Sequence, residues 1–376
     1  MAGILIAVVA LIVYGSLYPW TFRVPEGVGN PFLVLAVAWD AGFDRRFIAD
    51  VVINLALYVP LGMSGYLAFR RWRPGWLRVA GPVLLGAAVS VCVEMAQIYA
   101  PGRRCSAIDV MDNVAGSALG VIGGIFFETV AGRELAVGKR RAVDRSALML
   151  LLCWVASRLF PLFPVLWLSM YRQKLAVLLS GPEFGVVAFV SAAASWYVAG
   201  LMMRKIAPGP GWLWASVALI PAQFFIVTRQ PGLGELAGAV VGVLLLVVLG
   251  ARPVGWVFVG VLLFRGLSPF RLGEPHGFWW IPFGGFLEMD WQPGIRVLLE
   301  KAWYFGAAIW VLRAERKRLS AAIAMVAGVA ALIEIVQIYL PGRTAEVTDP
   351  LLVLLMGLAI RSVRNGAHLK TVSGSR

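Results

Sequence analysis

EMAQIYAPGR, residues 94–103, recurs as EIVQIYLPGR at residues 334–343, with seven of ten positions identical at an offset of 240. Each copy closes an apolar run, near 79–99 and near 320–340, that is long enough to cross a bilayer, which takes roughly 20 residues. Upstream, SLYPW (16–20) is matched by GLSPF (266–270), and YVPLG (58–62) by WIPFG (280–284). Three matches in one order are the mark of an internal repeat. The reading is a four-helix unit present twice, at the two ends of the chain. Eight spans separate the copies, an even number, so both point the same way, unlike the inverted repeats of many transporters.

Composition names the solvent. Sixty percent of the 376 residues are hydrophobic and 14% are charged, and mean hydropathy is +0.80. A soluble domain carries about 25% charged residues, so lipid must cover this surface. The formal charge of +14 does not indicate a nucleic-acid partner, because no basic stretch is interleaved with aromatics on a polar surface. Arg and Lys gather instead in short loops at Arg70–Arg73, Lys139–Arg141 and Arg313–Arg318. Three scattered cysteines and two histidines give no disulfide framework and no metal spacing. No cofactor is expected: the phosphate-binding, dinucleotide-binding and nucleophile-elbow glycine patterns do not occur.

The expected fold is an all-α polytopic membrane protein of about twelve spans, near 3–20, 51–70, 79–99, 107–128, 147–168, 183–204, 211–228, 232–250, 254–270, 296–313, 320–340 and 346–361. Domain boundaries follow as 1–130, four middle helices over 131–251, a second unit over 252–365 and a frayed cytoplasmic tail over 366–376. With the N-terminus inside, 20 of the 34 Lys and Arg fall in the six inward segments, offset there by Glu128, Glu134, Asp144 and Glu315. That asymmetry predicts both termini in the cytoplasm. The first apolar run lacks a basic leader and has an internal copy, so it reads as part of the fold. The fifteen Trp residues, such as Trp20, Trp279 and Trp280, read as an interfacial belt.

Polar residues in the first copy keep helical spacing. Asp50 and Asn54 lie four apart. Pro60 removes a backbone hydrogen bond and Gly62 allows close approach, which reads as a kink. Glu94 and Gln97 lie three apart, and the loop PGRRCSA presents Arg103 and Arg104. Asp109 and Asn113 open the next span, with Gly116 and Gly120 as a small-residue packing face. The predicted topology puts Asn54, Glu94, Gln97, Arg103, Asp109 and Asn113 within about two turns of one interface. Ionisable residues inside a membrane default to function, with polar packing as the plainer reading. Arg103 either locks the Asp109 carboxylate or meets an anionic headgroup, and Asp109 either caps its helix or joins the site. The second copy offers His276, Glu334, Gln337, Arg343 and Asp349. There His276 stands for Asn54, Val353 for Asn113 and Met356 for Gly116. Arg158 falls inside an apolar run, where it needs a carboxylate or a cavity. Cys105 reads as an inert loop thiol.

NLALYVPLG (54–62), EMAQ (94–97), Arg103 and DVMDNVAG (109–116) together resemble the VanZ-like membrane proteins. The resemblance covers 1–130 well and 252–365 more weakly. It implies a bacterial inner-membrane protein of the cell envelope, connected with teicoplanin-type glycopeptide resistance or envelope-polymer assembly. The expected partner is a membrane lipid or lipid-linked glycan at the extracytoplasmic leaflet, with other envelope-assembly proteins as further candidates. An embedded enzyme using clustered carboxylates, and a transporter or channel, stand as alternatives. Reporter fusions after Arg141 and after Arg376 are expected to read cytoplasmic, and a fusion after Arg104 extracytoplasmic.

Overall fold

The computed structural model describes residues 2–27, 29–39, 45–71, 75–132, 144–160, 167–180, 184–226, 229–289, 291–315 and 317–373. The basic positions Arg73, Lys139–Arg141 and Arg316 lie outside these residues. The chain is all-α and divides into two units, Met1–Ala142 with Asn365–Arg376, and Val143–Arg364. Among the described residues five helices are long and apolar enough to cross a membrane: Asp50–Ala68, Leu77–Gln97, Ala107–Val130, Val186–Ile206 and Leu319–Gln337. Shorter apolar helices cover Ala2–Ser16, Gly211–Phe225, Leu233–Leu249 and Gly255–Gly266.

The first unit contains α1 (Ala2–Ser16), α2 (Pro31–Val37), α3 (Arg45–Ala68), α4 (Leu77–Gln97) and α5 (Ala107–Gly132). The sequence pattern does not predict the short α2; Asn30 caps it by accepting from the Phe32 amide at 3.0 Å, with Pro31 at the first helical position. The helix α3 continues through Pro60 to Ala68. Its contact with α5 is backbone against backbone. A Cβ on Gly116 would stand 2.5 Å from the Leu55 carbonyl oxygen. One on Gly120 would collide with Val59 O, and one on Gly62 with Ser117 O. No side chain there can move aside, which explains the small-residue face read from the sequence. Ser117, fully buried, donates to Asn113 O at 3.0 Å and lies against Gly86 of α4. Leu5 and Ile12 of α1 pack with Tyr58 and Leu61 of α3. At the opposite end from the PGRR loop, Arg78 pairs with Glu128 at 2.5 Å and lies 4.0 Å over the Tyr66 ring.

The second unit contains α6 (Arg145–Leu159), α7 (Leu168–Leu179), α8 (Val186–Ile206), α9 (Gly211–Ala222), α10 (Leu233–Leu249), α11 (Gly255–Gly266), α12 (Gly284–Glu288), α13 (Trp291–Ala314), α14 (Leu319–Gln337) and α15 (Thr348–Ser373). Two-residue strands β1 (Phe278–Trp279) and β2 (Ala345–Glu346) pair in parallel. The span expected over 147–168 is helical only to Leu159, and α7 is an addition to the expected spans. Lys174 on α7 donates to the carbonyls of Phe224, Ile226 and Arg229, fastening the end of the α9 segment. The tail read as frayed is helical through Ser373.

The aromatic belt needs correction in this unit. Trp154, Trp196 and Trp303 are buried at its centre, with ring centroids 4.8 and 5.8 Å from Trp154. The indole N–H groups of Trp154 and Trp303 both donate to Ser195 Oγ, at 2.9 and 2.8 Å. A buried indole needs an acceptor, and one serine on α8 supplies it to helices α6 and α13. Gly234, Gly238 and Gly242 bring α10 against the backbone of Gly185, Phe189 and Ala193.

Asp144 caps α6 through the Ser146 and Ala147 amides, and accepts from Lys205 at 2.7 Å and Trp310 at 3.1 Å. Burial alone pushes its carboxyl up, but these donors outweigh burial and hold it at about 2, below the ordinary 3.8. A depressed carboxylate stabilises the fold above its unfolded pKa and loses that contribution as pH falls through the folded value. Wild type is therefore expected to exceed Asp144→Asn by about 1–2 kcal/mol near neutral pH, after allowance for the half-exposed Lys205. The two should converge in thermal melts as pH drops towards 2. Separately, Gly120→Ala should cost about 1–3 kcal/mol by overpacking. Gly123→Ala, whose Cβ meets nothing within 4 Å, should leave the melting temperature unchanged or slightly higher.

Candidate functional site

The last turn of α4 carries Glu94 and Gln97, both buried. The chain then turns at Gly102, whose φ of +80° suits glycine. It enters α5 behind Ser106, whose hydroxyl accepts from the Asp109 amide at 3.2 Å. The cap of α5 is thus Ser106 and not Asp109, a role the Ser-x-x-Asp spacing could have revealed. Relieved of capping, Asp109 bonds through its side chain to Asn54 on α3. Glu94 Oε2 accepts from the Ser106 amide at 2.8 Å. The charges of Glu94, Asp50 and Asp112 all act on Asp109 or are acted on by it.

Of the six residues singled out in the sequence, Asn54, Glu94 and Asp109 meet around Ser106. The other three hold the frame. Gln97 donates to Ser16 O at 2.9 Å, tying α4 to the end of α1. Arg103 donates to the Tyr18 carbonyl at 3.3 Å, so it meets backbone and not the Asp109 carboxylate. Asn113 lies one turn deeper and donates to Ser90 Oγ at 2.9 Å, leaving its own Oδ1 without a partner. Cys105 is inert: burial, then the charges of Glu94 and Asp109, push its thiol up to about 11.

The second set repeats much of this geometry. Glu334 Oε2 accepts from the Glu346 amide at 2.7 Å, and Gln337 donates to Gly266 O at 2.9 Å. Arg343 donates to Ser268 O at 2.8 Å and Arg265 O at 3.2 Å. The Arg23 amide meets Tyr99 O and the Gly273 amide meets Tyr339 O, both at 2.7 Å. Trp20 and Phe270 share a left-handed φ, 59° and 61°, as do Gly102 and Gly342, 80° and 71°. Val353 and Met356 are buried where Asn113 and Gly116 would stand.

The equivalence of His276 with Asn54 fails. His276 lies in an extended stretch, its amide on Ile338 O at 2.9 Å and its ring 3.3 Å from Leu340 O. WIPFG likewise falls in a turn ahead of α12, whereas YVPLG lies inside α3. The residue that meets Asp349, as Asn54 meets Asp109, is Lys301 on α13, at 2.6 Å. Lys301 also reaches Glu346 Oε1 at 3.4 Å, and Thr348 donates to Glu346 Oε2 at 2.8 Å. Lys301 escapes a reading of the sequence because it lies on a helix that no local motif joins to Asp349.

Arg158 finds its carboxylate in Glu235. Among the described residues no three His, Cys, Asp or Glu side chains stand close enough to share one metal ion. Residues 1–128 match the family model described as VanZ/LLP1. No curated protein and no solved structure matches the chain. Residues 1–128, with α1 to α4, most of α5 and the polar set around Glu94 and Asp109, are therefore similar to the VanZ/LLP1 family, within a membrane-type helical protein.

Proposed function

We propose that the first unit binds the headgroup of an envelope lipid or lipid-linked glycan at the extracytoplasmic face of the bacterial inner membrane. The chain is read as a twelve-span protein with both termini inside and a duplicated four-helix unit. The paired contacts of Gln97 and Gln337, and of Glu94 and Glu334, support the duplication. The observation that carries the function is the meeting of Asn54, Glu94 and Asp109, where the Ser106 amide donates to Glu94 and the Asn54 side chain meets Asp109. Carboxylates so held accept from sugar hydroxyls or ammonium groups, and an amide both donates and accepts. The exposed Arg103 and Arg104 of the adjoining loop suit the phosphate of such a lipid. This reading fits the teicoplanin-type resistance or envelope-polymer setting that the family resemblance implies.

In the second set Lys301 is shared by Asp349 and Glu346, so that set reads as structural. A closed ion pair offers a headgroup little.

In nanodiscs the purified protein should gain thermal stability from a polyprenyl-phosphate-linked glycan lipid. Glu94→Gln or Asp109→Asn should weaken that response about tenfold, the loss of one charge-assisted hydrogen bond, at normal abundance. Glu334→Gln should instead lower the unliganded melting temperature. Equal stabilisation by every anionic lipid, in wild type and Glu94→Gln alike, would sink the reading.

A further inference from the structure

The second unit contains a cavity of about 90 Å³ whose polar wall is formed by Arg158, Arg229, Arg265, Glu235, Glu300 and Ser191. These residues come from the last turn of α6, the segment before α10, the last turn of α11, the first turn of α10, α13 and α8. Five separate stretches of chain, one of them bearing both Arg229 and Glu235, thus deliver polar side chains to one place. None lies in residues 1–128, so the cavity is independent of the function proposed for the first unit.

Charge in this cavity does not balance. Glu235 is shared by Arg158 and Arg229, and Glu300 pairs with Arg265 at 2.9 Å. Arg296 adds its charge to the neighbourhood of Arg229. Three guanidiniums therefore line the cavity against two carboxylates, with the charge of Arg296 close by. Several donors of the lining are also unused: Nε of Arg158 and Arg229, and the hydroxyl of Ser191, are buried with no hydrogen-bond partner. Arg158 and Ser191 are only 4% and 3% exposed. A buried cation without a partner is costly, and more so in a chain surrounded by lipid. The remaining side chains do not relieve it. Arg265 lies 4.5 Å over the Tyr304 ring, and the Tyr304 hydroxyl is committed to Ser191 O at 3.0 Å. Arg229 is also held by Gln223 Oε1 at 3.3 Å, and its carbonyl is fixed by Lys174. The wall is built and cationic.

We infer that this cavity is a binding site for a tetrahedral oxyanion, a phosphate group with two or more free oxygens. The volume holds a few waters, at about 30 Å³ each, or one such group. Guanidinium forks suit its oxygens through paired N–H donors, and the Ser191 hydroxyl supplies a further donor. The phosphate can arrive free or as the headgroup of a phosphomonoester lipid; both offer the same chemistry.

The test uses the full-length protein in phosphatidylcholine nanodiscs, melted against inorganic phosphate with chloride holding ionic strength constant. A parallel series replaces part of the phosphatidylcholine with phosphatidic acid. A saturable rise in melting temperature with phosphate, weakened about tenfold in Arg229→Gln, supports a site open to soluble ions. A rise with phosphatidic acid alone, weakened in the same variant, supports a lipid source. Glu235→Gln frees two guanidiniums and should tighten binding several-fold. That variant decides the matter if Arg229→Gln does not fold. No response to either probe, or equal responses in wild type and both variants, overturns the site and leaves a closed ion-pair network.

Discussion

Everything in the first unit hangs on how closely two backbones can approach. Gly62, Gly116 and Gly120 let α3 and α5 touch without side chains between them. In hydrocarbon no hydrophobic force draws helices together, so such contacts must come from packing and polar bonds. Asn54 lies about two turns from Gly62, and Asp109 about two turns from Gly116. The glycine contact therefore sets the distance between amide and carboxylate. The bond between them, and the seat of Glu94 on the Ser106 amide, are consequences of that register.

The two polar sets then diverge through charge. Both anchor a glutamate on the amide that begins the next segment, and both tie a glutamine to the carbonyl closing an earlier helix. In the first, the two carboxylates meet neutral partners, the Ser106 amide and the Asn54 side chain. In the second, Lys301 occupies them, and Met356 replaces a glycine with a buried, bulky chain. Removing one partner of a buried ion pair is far costlier than the pair is worth. The second set is thereby locked, while the first keeps acceptors that an incoming donor can use.

Local features are legible in the sequence, and long-range ones are not. Glu-x-x-Gln, the Pro-Gly turn and the glycine stripe are spaced by helix geometry, so residues within a turn of each other declare themselves. The five long apolar helices follow from solvent alone. Lys301 does not, because the register between α13 and α15 is set by packing. His276 is matched to Asn54 only through the similarity of WIPFG to YVPLG, and five residues carry no information about whether they lie in a helix or a turn. Arg158 demands a partner, but Glu235 is 77 positions away. The short α2 and α7 have too few residues to show a period. Trp154 and Trp303 read as interfacial by their type, whereas the hydroxyl of Ser195 is what lets their indoles go inside.

The length of the helices in the second unit has a consequence for the surrounding lipid. Both α9 and α11 have 12 residues, about 18 Å at 1.5 Å per residue, against a hydrocarbon core of about 30 Å. Such a mismatch is met by a locally thinner bilayer or by wet, polar ends. Arg265 closes α11 and Arg229 follows the α9 segment, and each meets a carboxylate within the unit. A short helix that ends beside an arginine thus draws its counter-charge from neighbouring helices, and Glu235 of α10 and Glu300 of α13 supply it.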